Sequence, residues 1–146
     1  MPDSRELTLI ESEDAVHIYW HEAHGYLLAE WQPEFCRGEK LKRAYQAILR
    51  ATRARPGVPW LVDCSELPVI DPADQDWITR WYFPELIRAG ARYQAHVRPN
   101  DEVVKMSTRK AVIGVVKPGV FEMTAHRSRA EAEAAVLAWL EKRKEV

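Results

Sequence analysis

Cysteine is scarce: Cys36 and Cys64 are the only two in 146 residues. Two thiols make no disulfide framework, and they read as ordinary thiols in a reducing compartment. An excess of charge of either sign is missing too. Lys and Arg number 21 against 22 Asp and Glu, a net charge of −1. That leaves neither the basic surface that a nucleic acid needs nor an acidic solvating tail. The apolar runs fall far short of the ~20 residues that cross a bilayer. Met1-Pro2-Asp3-Ser4 opens a charged segment with no apolar leader behind it. No internal repeat, low-complexity stretch or dividing linker is visible. The expectation is one soluble, cytoplasmic domain over residues 1–146, long enough to bury roughly two thirds of its unfolded surface.

Catalytic signatures are also lacking. Cys64 does not begin a phosphatase-type Cys-x5-Arg loop, because position 70 is Ile. Ser65 stands in no Gly-x-Ser-x-Gly elbow. Arg37-Gly38-Glu39-Lys40 lacks the glycine spacing of a phosphate loop.

What is present is a regular alternation of strand and helix. Leu7 to Ile10 reads as a first strand. Val16, Ile18 and Trp20 alternate with His17, Tyr19 and His21, the period of a half-buried strand. Gly25 turns the chain into a return strand, Tyr26 to Trp31. Pro33-Glu34 is expected to start a long helix, with Leu41, Ala44, Tyr45, Ile48 and Leu49 on its apolar face. Pro56-Gly57 stops it. Trp60 to Cys64 is continuously apolar, as suits a strand covered on both faces. Asp71 before Pro72 predicts a helix N-cap followed by proline at the first helical position. This helix is expected to kink at Pro84 and close at Gly90. Arg92 to Val97 is a further strand, and Asn100 a cap for a third helix. The β-branched run at residues 111–116 fits helix or strand, and helix is preferred as the crossover. Phe121 to Thr124 is a short last strand. Ser128 with Glu131 makes a capping box for a final helix with Ala132, Ala135, Val136, Trp139 and Leu140 inward. The order βββαβαβαβα implies an α/β fold. Its sheet is mixed and mostly parallel, with an N-terminal antiparallel hairpin and about four helices.

The stretch Trp60-Leu61-Val62-Asp63, then Val69-Ile70-Asp71, the helix ending at Gly90, the strand Arg92 to Val97 and the closing helix with Ala135, Trp139 and Leu140 together resemble a STAS domain. This is the fold of the bacterial anti-sigma-factor antagonists (SpoIIAA-like) and of STAS/SEC14-like proteins. The run Asp71-Pro72-Ala73-Asp74-Gln75-Asp76-Trp77, with Pro84 and Gly90, resembles an uncharacterised bacterial subgroup more than the antagonists. The resemblance implies a non-catalytic binding or regulatory role. It does not imply the antagonists' phosphorylation switch, because Asp71-Pro72-Ala73-Asp74 carries no hydroxyl where their turn has one. Ser65 is the nearest hydroxyl and is not at the switch position. The SEC14-like side implies, as an alternative, a carrier or sensor of a small apolar ligand.

The residues themselves offer few sites. Asp63 ends a buried strand and has no local explanation, whereas Asp71 reads as a cap, Asp74 as a first-turn charge and Asp76 as a solvated residue. Asp63 with Cys64 would serve a small enzyme, a second alternative, but a nucleophilic thiol needs an activating neighbour. His17, His21, His24 and Cys36 match no metal spacing; exposed positions on an antiparallel edge explain the histidines, and no metal or other cofactor is expected. Trp77, Trp81, Tyr82 and Phe83 put four large aromatics into seven residues. They cannot all face inward from one regular helix. Either the helix is packed on two faces or part of the group is a surface. In the second case Trp77 and Trp81 share a face, and Tyr82 or Phe83 leans outward beside the kink. The expected binding surface is Asp63, Cys64, Ser65 and Asp71 with Trp77, Trp81, Tyr82 and Phe83. Its expected occupant is a protein partner, a second copy in a homodimer, or a small apolar ligand.

Overall fold

A computed structural model describes residues 6–33, 37–106, 117 and 119–144. Its centre is a six-stranded sheet whose spatial order follows the chain. β1 (Leu7–Ser12), β2 (Val16–His21) and β3 (Tyr26–Trp31) form an antiparallel meander. β4 (Trp60–Asp63), β5 (Tyr93–Val97) and β6 (Glu122–His126) continue it in parallel. The α/β reading and the mixed sheet with its antiparallel start therefore hold.

Among the described residues the crossovers lie on one face. α1 (Glu39–Ala54) joins β3 to β4. Between β4 and β5 runs one unbroken helical path: α2 (Pro72–Trp77), a π turn (Ile78–Tyr82) and α3 (Phe83–Arg88). Val104, in a helical stretch over residues 102–106, packs on the same side. α4 (Arg129–Lys144) alone, among the described residues, covers the other face, through Ala132, Ala135, Val136, Trp139 and Leu140. β4 is buried at all four positions because helices cover both its faces. Trp60 and Val62 point to the larger core and Leu61 to α4. Trp60 satisfies its indole N–H inside that core by donating to Thr52 Oγ1 at 3.2 Å, whose own hydroxyl donates to the Ile48 carbonyl at 2.9 Å.

Several local expectations need correction. α1 begins at Glu39, not at Pro33-Glu34; residue 38, a glycine with φ 58°, breaks the chain direction just before it, and residues 34–36 lie outside the described set. Asp101, not Asn100, caps the next helical stretch: its Oδ1 accepts from the backbone N–H of Val103 at 2.8 Å and of Val104 at 3.2 Å. His21 is fully buried and stacked against His24 and Tyr26. β2 is an inner strand, with β1 at the edge, so the histidines do not line an edge. The preference for helix at residues 111–116 lies outside the described residues. Ser128 does cap α4, since its Oγ accepts from the Glu131 N–H at 3.2 Å; the Glu131 carboxylate reaches back one residue further than a regular box, to the Arg127 N–H at 3.1 Å.

Pro84 has no N–H for the carbonyl four residues behind it. The helix responds with the π turn ahead of it, where the Phe83 N–H donates to the Ile78 carbonyl five residues back. At the far end Gly90 (φ 109°) closes α3 and accepts from the Gly57 N–H at 2.9 Å. A Cβ at Gly90 would lie 2.7 Å from Pro56 Cβ. Gly90→Ala should therefore cost about 2–4 kcal/mol, combining positive φ with overpacking. Gly25→Ala, where φ is 79° but the nearest atom is 4.0 Å away, should cost only about 1–2 kcal/mol. Urea midpoints of the two variants check the difference; equal midpoints would mean that the close approach to Pro56 contributes nothing.

Candidate functional site

Asp63 ends β4 with its side chain on the α4 face. The Ser65 N–H and Oγ–H both donate to its Oδ1, at 3.0 and 2.7 Å. Arg129, in the first turn of α4, donates to Oδ2 from Nε at 3.2 Å and from Nη2 at 2.8 Å. The same Nη2 donates to Glu30 Oε2 at 2.6 Å. Burial pushes the Asp63 carboxyl up, but the Ser65 and Arg129 hydrogen bonds, with the Arg129 charge, outweigh it and hold the group below the usual carboxylate range. Burial also works against the Arg129 charge, and its bonds to Glu30 and Asp63 outweigh that in turn. Arg129 thus bridges the two carboxylates while Ser65 holds the far oxygen of Asp63, which is the pattern of a clamp.

Cys64 points the opposite way, into the larger core. Burial, and next the Asp63 charge, push its thiol pKa up, the wrong direction for a nucleophile. Its Sγ lies 3.7 Å from His96 Nδ1, and His96 Nε2 is 2.8 Å from Gln94 Oε1. Burial, with a smaller contribution from His126, lowers His96 to about 4. The pair is thus a neutral thiol beside a neutral imidazole. Cys64, Gln94, His96 and Tyr82 help to line a cavity of about 20 Å³. Roughly 10–15 Å³ admits one water, whereas ligand pockets run to about 300–1,000 Å³. A wider groove of about 640 Å³ lies between Ser12, Glu13, Asp14, His17, Gln32 and Pro33. It is walled mostly by polar groups, and Lys40 and Arg43 pair with Asp14 and Glu13 across its rim at 3.6 and 3.7 Å.

The carboxylates after β4 separate in role. Asp71 stands at the N-cap position with extended backbone (φ −60°, ψ 147°), but its side chain makes no capping hydrogen bond. It lies 3.7 Å from exposed Arg37 instead. Asp74, expected as a first-turn charge, does stand in the first turn of α2 but is buried; it accepts the Gly38 N–H at 3.1 and 3.3 Å and so serves a free donor at the start of α1. Glycine offers no side chain of its own there, and the neighbouring helix supplies the acceptor.

The aromatic group is arranged opposite to the expected way round. Tyr82 and Phe83 are core residues, 2 and 3% exposed, while Trp81 is 39% exposed. The cause is the π turn: it takes in an extra residue, so position i+5 comes to lie over position i. Tyr82 thereby stacks against Trp77, with centroids 6.3 Å apart and planes at 19°. Trp77 is partly buried, and Trp81 stacks on its outer side at 5.0 Å and 24°. Lys42 Nζ lies 5.5 Å from the Trp77 centroid, and Arg80 pairs with Asp76 beside the stack at 2.8 Å.

The structure therefore divides the anticipated surface into three. Asp63 and Ser65 belong to the Arg129 clamp; Cys64, Tyr82 and Phe83 are interior; Asp71, Trp77 and Trp81 remain accessible on the outer side of the α2 path. Arg129, Glu30, His96 and Lys42 were not anticipated. Arg129 alone carries a sequence signal, because a cation in the first turn of a helix opposes the macrodipole and calls for a carboxylate partner. Among the described residues no group of three or more His, Cys, Asp or Glu could hold a metal ion, and no helix is long and apolar enough to cross a membrane. Comparisons with protein-family models, curated proteins and solved structures find no match to this chain.

Two outcomes follow from this geometry. Asp74→Ala should lower stability by about 1–2 kcal/mol through loss of the bonds to Gly38, and Asp71→Ala by less than about 0.5 kcal/mol; denaturant midpoints that reverse this order would return the cap to Asp71. The second concerns acid. An unfolded imidazole protonates near 6.5 and His96 in the fold only near 4, so between those values the unfolded chain holds more protons. Stability should fall as pH drops through that window, by about 2–3 kcal/mol in all. Urea titrations at stepped pH should show this slope flattened in His96→Gln; an unchanged slope would place the acid sensitivity on another group.

Proposed function

We propose that this chain is a cytoplasmic, STAS-like binding module that engages a protein partner through Trp77 and Trp81 and performs no chemistry of its own. The observation that carries the reading is the exposed Trp81 ring stacked on Trp77, held from below by Tyr82 and Tyr45. A rigid indole platform with a charged rim is the composition of a binding hot spot. The element order from β3 to α4 agrees with the STAS resemblance, and the absence of a hydroxyl from Asp71 to Asp74 goes with a module not switched by phosphate at that turn.

Physical arguments weigh against the alternatives. An apolar carrier needs a cavity an order of magnitude larger than the one beside His96. An enzyme using Asp63 and Cys64 would need the two groups to converge, yet they point to opposite faces of β4, and Cys64 has a raised pKa.

The test separates binding from folding. Trp81 is 39% exposed and stacks on Trp77, so Trp81→Ser should leave the chain folded at a cost of about 1–2 kcal/mol while abolishing association. Native mass spectrometry and sedimentation of purified parent and variant read subunit composition and any retained small molecule. A parent assembly heavier than one chain, reduced to one chain in the variant, is the expected result. A small molecule retained at fixed stoichiometry would overturn the reading in favour of a carrier, and a Trp81→Ser protein that fails to fold would place Trp81 in the core.

A further inference from the structure

Asp76 and Arg80 flank the Trp77–Trp81 stack on the same exposed stretch, opposite in sign and four residues apart, with side chains 61 and 80% exposed. We infer that the partner on this surface is a second copy of the chain, with the two α2 paths packed antiparallel about a dyad that passes midway between Asp76 and Arg80 on the exposed side. The inference rests on the reading of Trp77 and Trp81 as a binding surface and adds the identity of the occupant.

The argument is one of self-complementarity. A two-fold interface brings the same patch to itself, so each group must meet its complement within the patch. In the antiparallel arrangement Asp76 of each chain comes opposite the partner's Arg80, and the two indole stacks close over the axis. A parallel arrangement sets Asp76 against the partner's Asp76 and Arg80 against the partner's Arg80, which like-charge repulsion disfavours. The ion pair now made within one chain is exposed and solvated, so exchanging it for the intermolecular pair costs little. The whole-chain charge of −1 places no net repulsion between copies.

The pairing makes a specific demand on charge variants of the full chain. Asp76→Lys gives a patch with two cations, and Arg80→Glu a patch with two anions. Each variant alone should dimerise at least tenfold more weakly than the parent at low salt, while its far-ultraviolet circular dichroism stays that of the folded parent. Mixed in equal amounts, they should recover a dimer, one copy of each, resolved by native mass spectrometry because their masses differ. Homodimers of either variant as tight as the parent, or a mixture that stays monomeric, overturns the antiparallel pairing. If Trp81→Ser dissociates the parent dimer while the charge variants have no effect, the surface stands and only its proposed pairing fails. If the parent is held instead by a different, co-purified polypeptide lost in Trp81→Ser, self-association fails and the surface again stands. A parent that stays monomeric with no co-purified partner, or a dimer that survives Trp81→Ser, overturns both.

Discussion

The register of the sheet brings Glu30 of β3 directly opposite Asp63 of β4. Two carboxylates on adjacent strands, on the same face, repel each other and would favour any other pairing. Arg129 removes the conflict by standing between them, 2.6 Å from one and 2.8 Å from the other. The guanidinium is suited to this because its planar fork can serve two acceptors at once. The same contact positions α4, whose apolar side covers Leu61, Tyr93, Ala95 and Val97. One side chain thus fixes a strand register and the placement of a helix together, and a lysine, with a single charged nitrogen, would do neither as well.

The two faces of the sheet are built from different materials. Beneath α1 and the α2 path, aromatic rings touch in series from Phe121 through Phe83 and Tyr82 to Tyr45 and Trp31. Trp77 and Trp81 extend that series outward to solvent. Beneath α4 the packing is laced with polar contacts: Tyr26 donates to Glu133 at 2.5 Å, and Tyr93 shares a hydrogen bond with Thr124. The exposed indole is therefore the outer end of a stiff aromatic stack, which lowers the ordering cost that a mobile surface side chain would meet on binding.

Much of the architecture was legible because it is local. The unbroken apolar run of β4, the alternation of β2 and the three- and four-residue spacing in α1 each report burial from neighbours within one element. What escaped depends on distant partners or altered periodicity. Asp74 is tied to Gly38, and Arg129 to Asp63 and Glu30, across separations of 36, 66 and 99 residues, and no spacing rule reaches that far. Tyr82 and Phe83 were placed by assuming about 3.6 residues per turn, an assumption that fails inside the π turn. Pro84 was a visible warning of irregularity, but a proline announces that the ladder must break without saying whether the helix will bend or take in a residue.

The π turn also constrains how this chain can vary in length. It behaves as a single inserted residue accommodated inside a helix, so the positions from Ile78 to Tyr82 form the one part of the α2 path where a deletion could be absorbed by returning to regular geometry. The helix would survive such a deletion with the residues after it still on their own faces, because what is lost is the residue that the wider turn takes in; a deletion in the preceding turns of α2 would instead rotate everything after it by about 100° relative to what precedes it. Phe83 and Leu86 would leave the core, and Gly90 would no longer meet Pro56. The path between Asp74 and Gly90 can therefore lose a residue without disturbing its packing only inside the π turn.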